Sequence, residues 1–463
     1  MAATERGAGH RGTVPATLAI PLALSLSVLL TACGALTPGS GYDANTVRPG
    51  AVPSSTAVPD EDITLRLNFA DAPVMVDALA AAFEEKHPRI DVRPEYTQFA
   101  DYVKSLKLTM TSDTAPDIAQ YAVGMDALAH RGDILDLAPY RDAYGWRKEF
   151  PAANLAQLTA GGGDAPSDSS AGRTTGHQPL YGVPVGLSMT GLYFNRKLAA
   201  TAGISSPPRT LKEFEEQLAA AKRAGLTPMS LGALDSGGLH LWAALVNVMM
   251  PPEEYRAWVD GRDGATIETE GALKAAELVA EWAAKGYFDP SANGTAQVDS
   301  TARFTRDESV FLINGNWAAG QLVGAMGENV GFFPMPGPVE SARSVASGFS
   351  VAYSVSSRTR HPEAAGAFLD FMASPEAASI VAANGFLPPD PDAVPDQKGV
   401  LGEVAAAHRR VVADDGTNQF PDFTAPSMLD RLRSGVQRLI ADRTGPAKFL
   451  AEIQDVWEAH HEQ

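Results

Sequence analysis

The chain has 463 residues, 45% of them apolar and 20% charged, and its net charge is −18. That length exceeds what one hydrophobic core usually organises, and the charged fraction is too small for a disordered acidic chain, so two folded lobes are expected. So acidic a surface repels phosphate backbones and anionic lipid alike, which excludes nucleic acid as a partner and leaves any membrane attachment to something other than charge.

In chain order, the first segment reads as an export signal. Arg6 and Arg11 precede an apolar stretch from Leu18 to Leu30, too short and poorly flanked for a stable spanning helix. The stretch ends in Leu30-Thr31-Ala32-Cys33, and Cys33 is the chain's only cysteine, so neither an internal disulfide nor a multi-cysteine zinc site is available. The tetrapeptide resembles the bacterial lipobox, whose cysteine receives a diacylglycerol and becomes the first residue of the mature protein. Residues 1–32 are then a lipoprotein signal peptide, and Cys33 is the lipidated residue. Two acyl chains hold a protein on a membrane where one does not. Residues 33–61, rich in Gly, Pro, Ser and Thr, read as a flexible tether spanning roughly 25–30 Å.

The body opens with Ile63, Leu65, Leu67 and Phe69 alternating with polar residues, the period of a half-buried strand. After a turn at Asp71-Ala72-Pro73, Met75, Leu79, Ala82 and Phe83 mark one helical face. Ile90, Val92 and Tyr96 predict a second strand; Phe99, Tyr102, Val103, Leu106 and Met110 predict a second helix. Pro116 to Tyr121 reads as a loop entering a third strand. This alternation is the signature of an α/β lobe with a largely parallel sheet. Gly161 to Gly176 reads as a surface loop. A second α/β block follows, with two extended segments, Tyr181–Val185 and Gly191–Asn195. Thr210 and Glu213 form a capping box for a helix ended by Gly225. Further helices are expected from Leu273 to Gly286, after His361-Pro362, after Ser374-Pro375, and at about Met428–Ile440 and Ala447–His460.

Four blocks in this order carry a resemblance: Phe83 to Val92 with Ala115 to Ile118; Tyr181 to Val185 with Leu192 to Leu198; Phe311 to Trp317; and Gly331 to Pro338 with Ser347 to Phe349 and the helix after His361. Together they resemble the extracellular solute-binding proteins of bacterial carbohydrate importers, the maltose-binding-protein superfamily. The resemblance implies an α/β, two-lobed periplasmic-binding-protein fold, each lobe a mixed, largely parallel sheet flanked by helices, with hinge crossings. Residues 62–185 plus 334–380 would form the amino-terminal lobe, and 186–333 plus 381–463 the carboxyl-terminal lobe. Crossings are expected at Tyr181–Leu187, at Gly331–Met335 and near residues 373–387. The implied activity is capture of a small solute, a mono- or oligosaccharide, by hinge closure, without cofactor or metal. The implied partners are ABC permease subunits, and the receptor would be a monomer held by lipid on the outer face of the cell membrane.

A sugar has apolar ring faces and polar edges, so its site needs aromatic platforms ringed by amides and carboxylates. Trp317, after Asn314-Gly315-Asn316 at a strand-to-helix turn where the resembling family places a cleft aromatic, is the first choice for a platform, with a core tryptophan as the other reading. Asn316 is a ligand contact or the cap of the next helix. Tyr121 is expected to point from a strand end into the cleft or into a lobe core. Gly348 would admit backbone amides to the ligand, with Phe349 beside it. His240 and Trp242 open an apolar helix, Leu239 to Met250: either one of them faces the cleft, or Trp242 packs in a core and His240 is a capped or solvated residue. Asp71 reads first as a helix N-cap and second as a ligand contact. Gln98 and Phe420 complete the candidates.

Enzyme motifs are missing. There is no Walker loop and no His-Glu-x-x-His pair, and Gly186 to Gly191 departs from a nucleophile elbow by one residue. His460-His461 reads as a frayed, solvated terminus. A secreted glycosidase or other hydrolase on a similar two-lobed scaffold remains the alternative, since no motif can exclude a carboxylate pair; a surface sensor or adhesion protein with the same fold is a third reading.

Overall fold

The structure is a computed structural model and describes residues 55–122, 124–150, 154–155, 158–159, 178–388 and 396–462. The signal peptide, Cys33, most of the tether and the Gly161–Gly176 loop lie outside the described residues.

Alternating burial along β1 (Ile63–Phe69) puts Ile63, Leu65, Leu67 and Phe69 into a core. The helix α1 (Pro73–Lys86) lays Met75, Val76, Leu79 and Phe83 onto the same core. β2 (Ile90–Tyr96) and β3 (Ile118–Gln120) pair with β1 in parallel, and α2 (Phe99–Thr111) connects them. Each connection carries a helix long enough to return the chain to the same end of the sheet, as parallel pairing requires.

The two extended segments expected around residues 181–195 are one strand, β4 (Val183–Asn195). Pro184 and Gly186 flank a register break against β8 (Ala346–Val355). From Val183 to Met189, β4 pairs with β8, which also pairs with β3. From Thr190 onward it pairs instead with β6 (Phe311–Gly315) on one side and β7 (Val330–Phe333) on the other. The two-residue strands β5 (Met229–Ser230) and β9 (Thr417–Asn418) run parallel to β6 and β8.

Buried apolar side chains form three clusters. The first gathers β1 to β3, the start of β4, the end of β8 and the helices Pro362–Met372 and Pro375–Ala383. The second gathers the end of β4, β6 and the helices Leu211–Arg223, Gly237–Met249, Glu270–Ala284, Met428–Ile440 and Pro446–His461. The third, smaller, joins Met189 and Tyr193 of β4 to the helix Gly399–Ala413. β4 changes partners between Met189 and Thr190, just past Leu187. Phe333 and Met335 still pack in the second cluster, so the chain rejoins the first only along β8, from Val351. Phe386 is the last residue of the first cluster.

Local chemistry follows the sequence closely at the helix ends. Thr210 Oγ1 accepts from the Glu213 amide at 3.2 Å, but the Glu213 carboxylate accepts from the Arg209 amide at 2.8 Å, one residue before the position a capping box assigns it. The end of the chain is not frayed. His461 lies on the Trp457 ring at 4.6 Å, and its Nε2 sits 2.9 Å from the Thr424 carbonyl.

Opposite β8, the edge of β4 near Met189 has no neighbouring strand, so its backbone polar groups need other partners. Leu387 O accepts from the Leu187 amide at 2.7 Å. Asn316 supplies the rest: its Oδ1 accepts from the Met189 amide at 2.8 Å, and its Nδ2 donates to the carbonyls of Leu187 at 2.8 Å and Gly385 at 3.0 Å. The fully buried Asn316 side chain thus stands in for a strand, which overturns both roles expected of it. Replacing Asn316 by Ala orphans an amide and two carbonyls; we expect a loss of about 2–4 kcal/mol, read from urea unfolding as a lower midpoint at unchanged slope.

Candidate functional site

Above the partner switch of β4 lies a cleft with about 1360 Å³ of empty space, part of it open to solvent. It is lined from every side of the fold: the β1–α1 turn, the start of α2, the end of β3, the helix Gly237–Met249, the turn after β6, β8 and the segment Phe420–Phe423.

Two groups of rings face it. Trp317, His240 and Phe420 form one, with centroids 5.3 Å apart for His240–Trp317, 5.8 Å for His240–Phe420 and 6.3 Å for Trp317–Phe420. Tyr121, Phe349 and Phe423 form the other, near-parallel at 6.3 Å and 4.8 Å. Trp317 stays half-buried because its indole folds back over Gly315; a Cβ there would lie 2.0 Å from the ring. That glycine carried no signal of its own in the sequence.

Phe420 and Phe423, one in each group, come from a single short 3-10 turn, Pro421–Phe423. The strand before it is held from beneath: Arg256 Nε donates to Asn418 Oδ1 at 2.8 Å, Asn418 Nδ2 to Asn247 Oδ1 at 2.5 Å, and Tyr255 Oη to the Gln419 carbonyl at 3.0 Å.

Polar groups occupy the edges. Gln120 donates to Asp71 Oδ2 at 2.6 Å and accepts from the Ala70 amide at 2.9 Å. Asp71 is therefore no helix cap. The N-cap of α1 is Ala72, held at φ 49° without a side-chain cap. Burial pushes the Asp71 carboxyl up, against the Gln120 hydrogen bond. Gln98 Nε2 reaches Asp235 Oδ2 at 3.3 Å, and Asp235 also accepts from the amides of Ser236 and Gln297 at 2.7 and 2.8 Å. Gln297 donates to Asn314 Oδ1 at 2.7 Å and approaches His240 Nδ1 at 3.3 Å. An amide NH2 only donates, so Nδ1 accepts and the neutral imidazole carries its proton on Nε2. Burial holds the His240 pKa down at about 4 and pushes the Asp422 carboxyl up to about 6.

Of the residues expected here from sequence, Trp317, Tyr121, Phe349, His240, Asp71, Gln98 and Phe420 line the cleft. Three do not. Asn316 serves β4. Trp242 is fully buried, edge-on to Phe449 at 5.3 Å, because two residues along a helix turn it away from the face that His240 presents. Gly348 is where β8 presses on β4: a Cβ would stand 2.6 Å from the Ser188 carbonyl, so the glycine serves strand contact rather than ligand access. Asp422, Phe423, Gln120, Gln297 and Asn314 line the cleft and were missed; only the turn residues Pro421-Asp422 between two phenylalanines hinted at them. Among the described residues no group of three His, Cys, Asp or Glu side chains is placed to hold a metal, and no helix is long and apolar enough to cross a membrane.

A ring-lined cleft over a strand shared by separate cores is the architecture of a solute-binding protein, and residues 70–379 match the family model of the bacterial extracellular solute-binding proteins, to which the chain belongs. Its similarity runs to a galactooligosaccharide-binding protein of Bacillus subtilis, 24% identical over 363 residues, covering 76% of this chain and 75% of the relative. A probable sugar-binding periplasmic protein of Mesorhizobium japonicum is 24% identical over 221 residues, 47% of this chain, and the match spans 48% of that relative, about half its length. A solved chitin oligosaccharide binding protein superposes with a TM-score of 0.72 at 21% identity, over 88% of this chain and all of its own; at that identity the likeness establishes the two-lobed fold.

His240 is buried neutral, whereas in the unfolded chain it protonates near its ordinary value of 6.5. Between pH 6.5 and about 4 the unfolded state binds the extra proton, so stability is full above that window and falls as the pH drops through it. The group contributes about 3 kcal/mol to this loss. His240→Asn, which keeps an acceptor for Gln297, should lose correspondingly less stability between pH 7 and pH 4 than the parent in parallel urea titrations.

Proposed function

We propose that the chain is the receptor of an ABC importer for a mono- or oligosaccharide, held in the cleft around Trp317 and delivered by closure of two lobes. The observation that carries this reading is the pairing of two ring groups with a rim of amides and carboxylates. Rings cover the apolar faces of a pyranose, and Gln98, Gln297, Asn314 and Asp422 meet hydroxyls at its edges. The sugar-binding names of the relatives support the same class of ligand. The receptor acts on an unreacted guest. We expect no turnover of chromogenic glycosides.

The partner switch at Met189/Thr190 supports a hinge there, with β4 and β8 as the strands that flex. In this reading the amino-terminal lobe is built on the first apolar cluster and the carboxyl-terminal lobe on the second. Lobe closure couples occupancy to shape, and permease subunits read the shape. Export and attachment follow from the signal peptide and Cys33: acylated there, the monomeric receptor stands on the outer face of the membrane on its tether.

A thermal-shift screen of sugars, polyols, amino acids and peptides tests the reading. A true ligand at a hundred times its Kd adds about 2.7 kcal/mol of stability; a screen in which only amino acids or peptides register removes the saccharide assignment. With the ligand in hand, Trp317→Ala should weaken binding by about 30-fold or more in calorimetry, the loss typical of a central aromatic anchor. Cys33→Ala should shift the protein from the membrane fraction to the medium and abolish labelling by radioactive palmitate.

A further inference from the structure

Neutral sugars, uronates and sugar phosphates all offer rings and hydroxyls, so stacking and amide contacts do not separate them. Charge does. No lysine or arginine lines the cleft among the described residues, and burial keeps His240 neutral at physiological pH. The formal charges in the lining are carboxylates, Asp71 and Asp422.

These two are not equivalent. Asp71 is engaged by Gln120. Asp422 is only 4% exposed, and among the described residues no other residue donates a hydrogen bond to its carboxylate. A buried carboxylate short of donors is costly, and the cost is recovered when something entering the cleft supplies one. Asp422 also sits between Phe420 and Phe423, which belong to opposite ring groups, so a ring stacked on either would bring an edge hydroxyl toward it.

We propose that Asp422 is the specificity-determining residue of the cleft: its carboxylate accepts a hydrogen bond from a hydroxyl of a saccharide that carries no acidic group, and its uncompensated charge excludes uronates and sugar phosphates. The proposal rests on the saccharide reading above and narrows it to non-acidic sugars.

The test compares matched probes on the full chain by calorimetry at pH 7.5: galactotriose against trigalacturonate, xylotriose against its glucuronyl-substituted counterpart, and glucose against glucose 6-phosphate, with raffinose, maltotriose and chitotriose widening the neutral set. At least one neutral sugar should bind, and its acidic counterpart should be weaker by about 100-fold or more. Asp422→Asn, isosteric but uncharged, should weaken the neutral ligand by about 10–100-fold and narrow the gap to the acid. Acidic probes that bind within a few-fold of their neutral partners overturn the proposal and leave the receptor reading standing. So does an Asp422→Asn protein with parental melting temperature and undiminished affinity. Should that variant fail to fold, the neutral–acid comparison on the parent decides alone. Silence from every sugar, neutral and acidic, overturns the saccharide reading itself and this proposal with it.

Discussion

The structure depends on β4 belonging to two sheets at once. A strand cannot leave one ladder for another without exposing backbone groups at the changeover, and a buried amide or carbonyl without a partner is costly. Here the changeover falls between Met189 and Thr190, and the exposed edge is closed by Leu387 and by the three hydrogen bonds of the Asn316 side chain. Asn316 adjoins Trp317 in the same turn, so the group that completes the ladder also fixes the start of the aromatic wall. Backbone accounting and cleft construction are solved by neighbouring residues.

The electrostatics of the cleft follow from burial. Burial is the leading cause in each case, moving His240 down and Asp71, Asp235 and Asp422 up. Where amides are available they offset the penalty, as Ser236 and Gln297 do for Asp235. Where they are absent the group remains poised toward whatever enters. The difference between Asp71 and Asp422 is one of neighbours, not of residue type.

Much of this was legible in the sequence, for identifiable reasons. Period-2 alternation in Ile63–Phe69, the Thr210 cap and the Pro residues after His361 and Ser374 each encode a local conformation, and each formed as expected. Trp317 lines the cleft, at the turn where the resemblance had suggested a cleft aromatic. What stayed hidden was non-local. The continuity of β4 was not legible: Tyr181–Val185 and Gly191–Asn195 read as separate segments, and only their pairing with β8 and β6 joins them. Asn316 and Gly348 look like ligand contacts in isolation; their duties to β4 appear only when residues 127 and 160 positions away along the chain are brought alongside. Asp422 belongs to no motif, and its importance lies in the donors that its surroundings lack.

The short turn at Pro421–Phe423 has an architectural consequence. It lends one ring to each aromatic group and carries the isolated carboxylate between them, all on a backbone tied down by Asn418, Gln419 and the pairing of β9 with β8. Apolar grip and charge selection are thus mechanically yoked. Lengthening this loop by a single residue would displace both platforms and the acid together, whereas exchanging a side chain in place alters one without disturbing the others. Diversification of ligand choice on this scaffold is therefore channelled toward substitution and away from insertion at this turn.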